Sequence, residues 1–155
     1  MIDDQSLPEI WRRAWDSVSH RLKDRCVEFH EQLTGNVRRA DFTTRLDAER
    51  LEQVFRNLFE NSLDSRDGEL SIFVSCFLSS GSITTIVLDD GPGVPHSHRD
   101  KLFDAFATSK PKGTGLGLSI SKRIVEAHGG TLRLIPREVG AEFELVLPRP
   151  DVRTQ

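Results

Sequence analysis

The stretch from residue 47 to residue 65 constrains this chain more than any other. Leu51, Val54, Phe55, Leu58, Phe59 and Leu63 recur at three- and four-residue intervals, so a helix gathers them on one broad apolar face. Asp47 stands where a cap belongs, and Ser65-Arg66-Asp67-Gly68 stops the run. A face that wide must be covered by a second layer. Residues 69–78 and 83–89 offer one, because they read as strands joined through Ser79-Ser80-Gly81-Ser82 as a hairpin. Residues 131–135 and 142–147 make a second strand pair that closes before Pro148.

Two more helices are legible. Leu7, Ile10, Trp11, Ala14, Trp15, Val18 and Leu22 share a face over residues 7–24, with Ser6, Pro8 and Glu9 placed as in a capping box. A loosely alternating strand, residues 26–33, and a turn at Thr34-Gly35-Asn36 follow. The helix over 116–128 ends at His128-Gly129-Gly130, where a left-handed glycine cap fits and a histidine suits the negative end of the helix dipole. The long segment between, residues 90–115, is rich in glycine and proline. This order predicts an α+β two-layer sandwich: one mixed sheet with helices packed on one face.

Composition narrows the class. The chain has 155 residues, enough for a single domain over 1–155 with a real core. Its net charge of −3 leaves no general basic field for nucleic acid or an anionic membrane. No apolar run approaches the ~20 residues of a membrane span. The acidic, polar start does not read as a secretory signal. Cys26 and Cys76 lie fifty positions apart without metal-like spacing, and read as small core residues in a reducing cytoplasm.

Four constellations carry chemistry. Asn57 and Asn61 stand four apart on one side of the 47–65 helix. A carboxamide oxygen there can ligate Mg²⁺ and its NH₂ can donate to phosphate, unless both are merely solvated. Asp89-Asp90-Gly91-Pro92-Gly93 puts an acid at a strand end beside backbone that a ligand can approach. Such an acid can accept a hydrogen bond from the exocyclic amine of adenine; the bland reading is a tight turn. Gly113-Thr114-Gly115-Leu116-Gly117-Leu118 opens a helix, where free N–H groups and partial positive charge favour an anion. It is neither a dinucleotide fingerprint nor a Walker loop. Phe103-Asp104-Ala105-Phe106 is suited to anchor a short helix, with Lys110 and Lys112 behind it in reach of phosphate.

The ordered set resembles the ATP-binding catalytic domain of bacterial sensor histidine kinases, in the superfamily that also holds gyrase, heat-shock chaperone and mismatch-repair ATPases (the Bergerat fold). Asn57 to Asn61 is similar to the N box, Asp89 to Gly93 to the G1 box, Phe103 to Phe106 to the F box and Gly113 to Gly117 to the G2 box. Gly140 to Pro148 resembles the closing strand, so the likeness covers about residues 6–148. It implies that Asn61 ligates a Mg²⁺ bridging the phosphates of ATP, with Asn57 assisting. It implies that Asp89 reads the adenine amine and that Gly91 and Gly93 admit the base. Residues 94–115 become a mobile ATP lid, and Phe106, Lys110, Gly113, Thr114, Gly115, Leu116 and Gly117 become nucleotide contacts. Three positions depart. Asp64 stands where a Lys is frequent, Ser65 where an aromatic often follows, and Ala141 where a Thr is common. These departures favour an alternative, a degenerate nucleotide-sensing or protein-interaction module.

Hydrolytic members of the superfamily place a Glu where this chain has Asn57, and a carboxamide cannot take a proton at neutral pH. Glu60 is one residue from Asn61, about 100° round the helix. The resemblance therefore implies a histidine kinase module, with Asn57, Asn61 and Lys110 serving phosphoryl transfer. None of His20, His30, His96, His98 and His128 sits in an acceptor motif. The expected partners are ATP, a separate dimerisation and phosphoacceptor domain of the same kinase and, indirectly, a response regulator. The expected location is cytoplasmic.

Overall fold

A computed structural model describes residues 1–34, 42–106 and 116–150. The elements in chain order are β1 (Ile2–Ser6), α1 (Leu7–Ser19), β2 (Val27–Leu33), β3 (Thr43–Asp47), α2 (Ala48–Asp64), β4 (Leu70–Ser79), β5 (Ser82–Asp89), α3 (His96–Arg99), α4 (Gly117–Ala127), β6 (Thr131–Ile135) and β7 (Ala141–Pro148). Five strands form one mixed sheet in the order β2-β4-β5-β7-β6. β2 runs parallel to β4, and the other neighbours are antiparallel. The α+β sandwich read from the sequence is therefore the observed architecture.

Register explains the two layers. The rows Ile72–Asp89–Ala141, Val74–Val87–Phe143 and Cys76–Thr85–Leu145 cross β4, β5 and β7 with every member buried. Alternation sends the opposite set outward, with Phe73 and Phe77 left exposed and His30 stacked on Phe73 at 4.9 Å. On the inner face α1 packs on α2 and α2 on α4. Trp15 stacks on Phe29 at 4.4 Å, and Phe59 meets both rings edge-on, joining α1, β2 and α2. Trp11 and Arg12 both donate to the Glu31 carboxylate, which fastens α1 to β2.

Capping defines α2 at both ends. Asp47 Oδ1 accepts from Arg50 N at 3.2 Å, as its position in the sequence predicts. At the other end the Arg25 guanidinium donates to the carbonyls of Leu63, Arg66 and Gly68. These are carbonyls the helix and its exit turn leave over, and a cation suits that end of the dipole. α4 ends in a Schellman motif. Gly130 N bonds Val125 O, Gly129 N bonds Glu126 O, and Gly129 has φ +78°.

Several expectations are corrected. α1 ends at Ser19, not 24, because the chain turns back through Lys23 at φ +47° and delivers Arg25 to α2. Ser6 makes no side-chain cap; it closes β1, paired with Thr43. β1 and β3, a separate two-stranded sheet, were not expected. Cys76 is a core residue, but Cys26 is exposed one residue ahead of β2. His128 serves the end of α4, as its position suggests, and also braces α2. Its Nε2 accepts from Asp47 N at 3.0 Å, so its proton sits on Nδ1, which donates to Ile124 O at 2.8 Å. The turn at 35–36 lies outside the described residues.

Candidate functional site

β5 delivers Asp89 to the end of the sheet, 3% exposed. Its Oδ1 accepts from Gly91 N at 2.9 Å and Ala141 N at 3.3 Å. Oδ2 takes no hydrogen bond from any described residue, although every fully buried side-chain polar atom there has a partner. Oδ2 therefore faces an opening. The backbone around the acid is closely packed and admits no side chain. A Cβ on Gly91 would lie 2.6 Å from Ser65 Oγ. Gly93 has φ +81°, and a Cβ there would lie 2.8 Å from Gly140 O. Gly140 in turn rests against the Asp89 carbonyl with no room for a side chain. The neighbouring acid has a different task. Asp90 Oδ1 accepts from Ser71 N at 2.8 Å and from Arg66 at 3.3 Å, so it closes the start of β4.

The second part of the candidate site is α2 against the start of α4. Asn57 is half-buried, and its Nδ2 donates to Gly117 O and Ser121 Oγ, each at 3.0 Å. Asn61 lies one turn further along the same helix face. Glu60 is turned away and pairs with Arg21 at 3.2 Å, so it offers no base beside Asn57. Leu116 precedes α4 and makes no side-chain cap, and the start of such a helix, with its N–H groups and partial positive charge, suits an anion.

The start of the expected lid follows the Asp89 turn along the chain. α3 carries His96 and His98, and Arg99 ties it back by donating to Val94 O and Arg137 O. Residues 103–106 form turns, not the short helix expected of two phenylalanines. Phe103 docks edge-on against Phe143 at 6.3 Å, under Lys122. Phe106 has φ +67° and is 74% exposed, so it does not anchor this segment to the core. Lys110, Lys112, Gly113, Thr114 and Gly115 lie outside the described residues.

Among the described residues no cluster of three or more His, Cys, Asp or Glu side chains is arranged to hold a metal. A divalent ion here must share its shell with a ligand's own oxygens. That donor set fits Mg²⁺, which accepts one or two protein oxygens beside phosphates and water. Sequence reasoning missed Ser121. Its spacing of four from Gly117 puts it on the same helix face, which was the available signal.

Residues 46–151 match the family described as histidine kinase-, DNA gyrase B-, and HSP90-like ATPase, and the chain belongs to that family. It is 44% identical over 104 residues to the C4-dicarboxylate transport sensor protein DctB of Rhizobium meliloti, covering 64% of this chain and 16% of DctB. To the histidine-protein kinase AtoS of Escherichia coli it is 36% identical over 128 residues, covering 76% of this chain and 21% of AtoS. The chain thus spans about a fifth of the length of such relatives. The nucleotide-free catalytic domain of histidine kinase ThkA superposes with a TM-score of 0.85 at 26% identity, covering 97% of each chain. Full-length ShkA, solved with AMPPNP, gives a TM-score of 0.77 at 26% identity, covering 95% of this chain and 31% of ShkA. The fold is that of a histidine kinase catalytic domain.

Proposed function

We propose that this domain binds Mg-ATP and presents the γ-phosphate to a histidine carried on a separate dimerisation domain, as one module of a sensor histidine kinase in two-component signalling. The observation that carries the reading is Asp89. Two backbone donors hold one oxygen of its buried carboxylate, and the other takes no hydrogen bond from any described residue, beside closely packed glycine backbone. That arrangement suits an amine on a flat ring. The AMPPNP bound by ShkA supports an adenine nucleotide as the occupant.

Phosphoryl transfer of this kind rests on positioning and charge neutralisation. Asn61, with the outward oxygen of Asn57, holds the Mg²⁺. The ion supplies neutralisation of phosphate charge when bound. The open start of α4 takes phosphate oxygens, and Lys110, Gly113, Thr114 and Gly115 complete that contact. With Asn57 in place of a general base and Glu60 paired to Arg21, the domain holds the nucleotide without splitting it by water. The acceptor histidine and its base come from the partner domain. A response regulator receives the phosphoryl group afterwards, in the cytoplasm. Among the described residues no helix is long and apolar enough to cross a membrane.

The test is a calorimetric titration of the 155-residue chain with a non-hydrolysable ATP analogue, with and without Mg²⁺. Binding in the micromolar range that tightens with Mg²⁺ supports the reading. No binding in either condition overturns it, and the interaction-module alternative then leads.

A further inference from the structure

Asn57 poses a question that its position alone leaves open. A carboxamide can present either oxygen or nitrogen to a ligand, and the two choices suit opposite charges. The structure decides through α4. Gly117 O is a carbonyl and can only accept, so the Asn57 nitrogen must face it at 3.0 Å. The second Asn57 hydrogen goes to Ser121 Oγ, also at 3.0 Å. Ser121 is 0% exposed, and its hydroxyl proton is committed to Gly117 O at 2.8 Å. The hydroxyl therefore meets Asn57 with a lone pair. Both donors of the carboxamide are consumed on α4, and Oδ1 takes no hydrogen bond from any described residue.

We propose that Ser121 is a positioning residue of the nucleotide site: its hydroxyl, the second acceptor beside the Gly117 carbonyl, locks the Asn57 carboxamide with nitrogen on α4 and oxygen outward. Asn57 thereby offers the site an acceptor, which suits a cation or a water bound to one, and never a donor to phosphate. The inference deepens the reading that this site holds Mg-ATP and rests on it. Without the Ser121 hydroxyl, Asn57 keeps one tether and can rotate. The part of nucleotide affinity that depends on Mg²⁺ should suffer while the metal-free part does not.

The experiment compares the full chain with its Ser121→Ala and Ser121→Cys variants. Affinity for the ATP analogue is measured in Mg²⁺ and in chelator, and the Asn57 side-chain NH₂ resonances are followed by NMR. Loss of one hydrogen bond of this kind predicts that the tightening due to Mg²⁺ falls roughly three- to tenfold. Affinity in chelator stays as in the parent, and the Asn57 resonances move to solvated positions. The Cys variant keeps the volume and a weak acceptor, so it falls between. Equal weakening with and without Mg²⁺, or unmoved Asn57 resonances in a folded variant, overturns the proposal. If the parent chain shows no Mg²⁺-linked binding, the Mg-ATP reading fails instead, and the Asn57 resonances still decide whether Ser121 sets the carboxamide. If Ser121→Ala does not fold, the Cys variant supplies both readouts.

Discussion

Asp89→Asn separates recognition from stability at a single atom. In the parent, Oδ1 is fixed by the N–H groups of Gly91 and Ala141. Those two donors still require an oxygen in the variant, so the asparagine takes the same rotamer and the fold is kept. Its NH₂ must then point where Oδ2 pointed. A donor now faces the amine of adenine, which is also a donor. The lost interaction is a hydrogen bond to a charged acceptor, worth about 1.5–3 kcal/mol. That converts to roughly ten- to hundredfold weaker binding of ATP. A purine with a carbonyl in place of the amine offers an acceptor at that point. The variant should therefore lose less, or gain, with an inosine or guanosine triphosphate analogue. Competition of the three analogues against a fluorescent nucleotide reads out the ratio directly. An unchanged ATP affinity in a variant that melts like the parent would sink the assignment of Asp89 to the base. Parallel weakening of all three nucleotides would show instead that the acid shapes the pocket without reading the ring.

Further predictions concern the frame around this acid. Gly93→Ala forces a side chain into φ +81° with its Cβ 2.8 Å from Gly140 O; the left-handed conformation alone costs about 1–2 kcal/mol, so both melting temperature and nucleotide affinity should fall, and a neutral substitution would contradict the close approach. Burial pushes the Cys76 thiol up to about 11, whereas Cys26 is exposed. A thiol reagent at neutral pH should therefore label Cys26 alone in the native chain and both cysteines in denaturant; rapid native labelling of Cys76 would refute its burial. The Asp47 carboxyl is held below its ordinary range, chiefly by the Arg50 N–H it accepts. A depressed acid stabilises above its unfolded value, about pH 4, and that stabilisation is lost as pH falls through the folded value. The gap in melting temperature between the parent and Asp47→Ala should accordingly close in acid; a gap that persists there would mean the cap acts without its charge.

The elements legible in the sequence are those whose signal is local. α2, the hairpin of β4 and β5, α4 and the β6–β7 pair carry unbroken periodicity, and their observed bounds fall within a few residues of expectation. β1 and β3 pair Ile2 with Asp47 and Ser6 with Thr43, across some forty residues of chain. Their sequences are short and polar, so partner choice is set by tertiary context. One local hint existed, since Phe42, Thr44 and Leu46 alternate and all three are buried. At the candidate site, the order and spacing of the sequence single out the acid, the glycines and the asparagine pair as proposed ligand contacts. They do not single out the residues that orient them. A serine inside an amphipathic helix reads as solvent-facing until the packing of α4 on α2 buries it. His128 has a second contact that its place in the sequence does not show. Its Nδ1 meets Ile124 O, the contact expected at a helix C-terminus, while its Nε2 accepts from the N–H of Asp47, a residue far off in sequence.

That His128 bond has a mechanical side. α2 and α4 are joined at two levels: Asn57 with Gly117 and Ser121 at the candidate site, and Asp47 with His128 at the far end. Two beams pinned at both ends cannot slide past one another. A load applied at the start of α4, where the phosphates are proposed to sit, has a path along both helices. It arrives at Asp47, where α2 meets the small β1–β3 sheet, some distance from the chemistry. Through Asp47, α2 and these two contacts, the small β1–β3 sheet is tied to the candidate site at the other end of the helix pair.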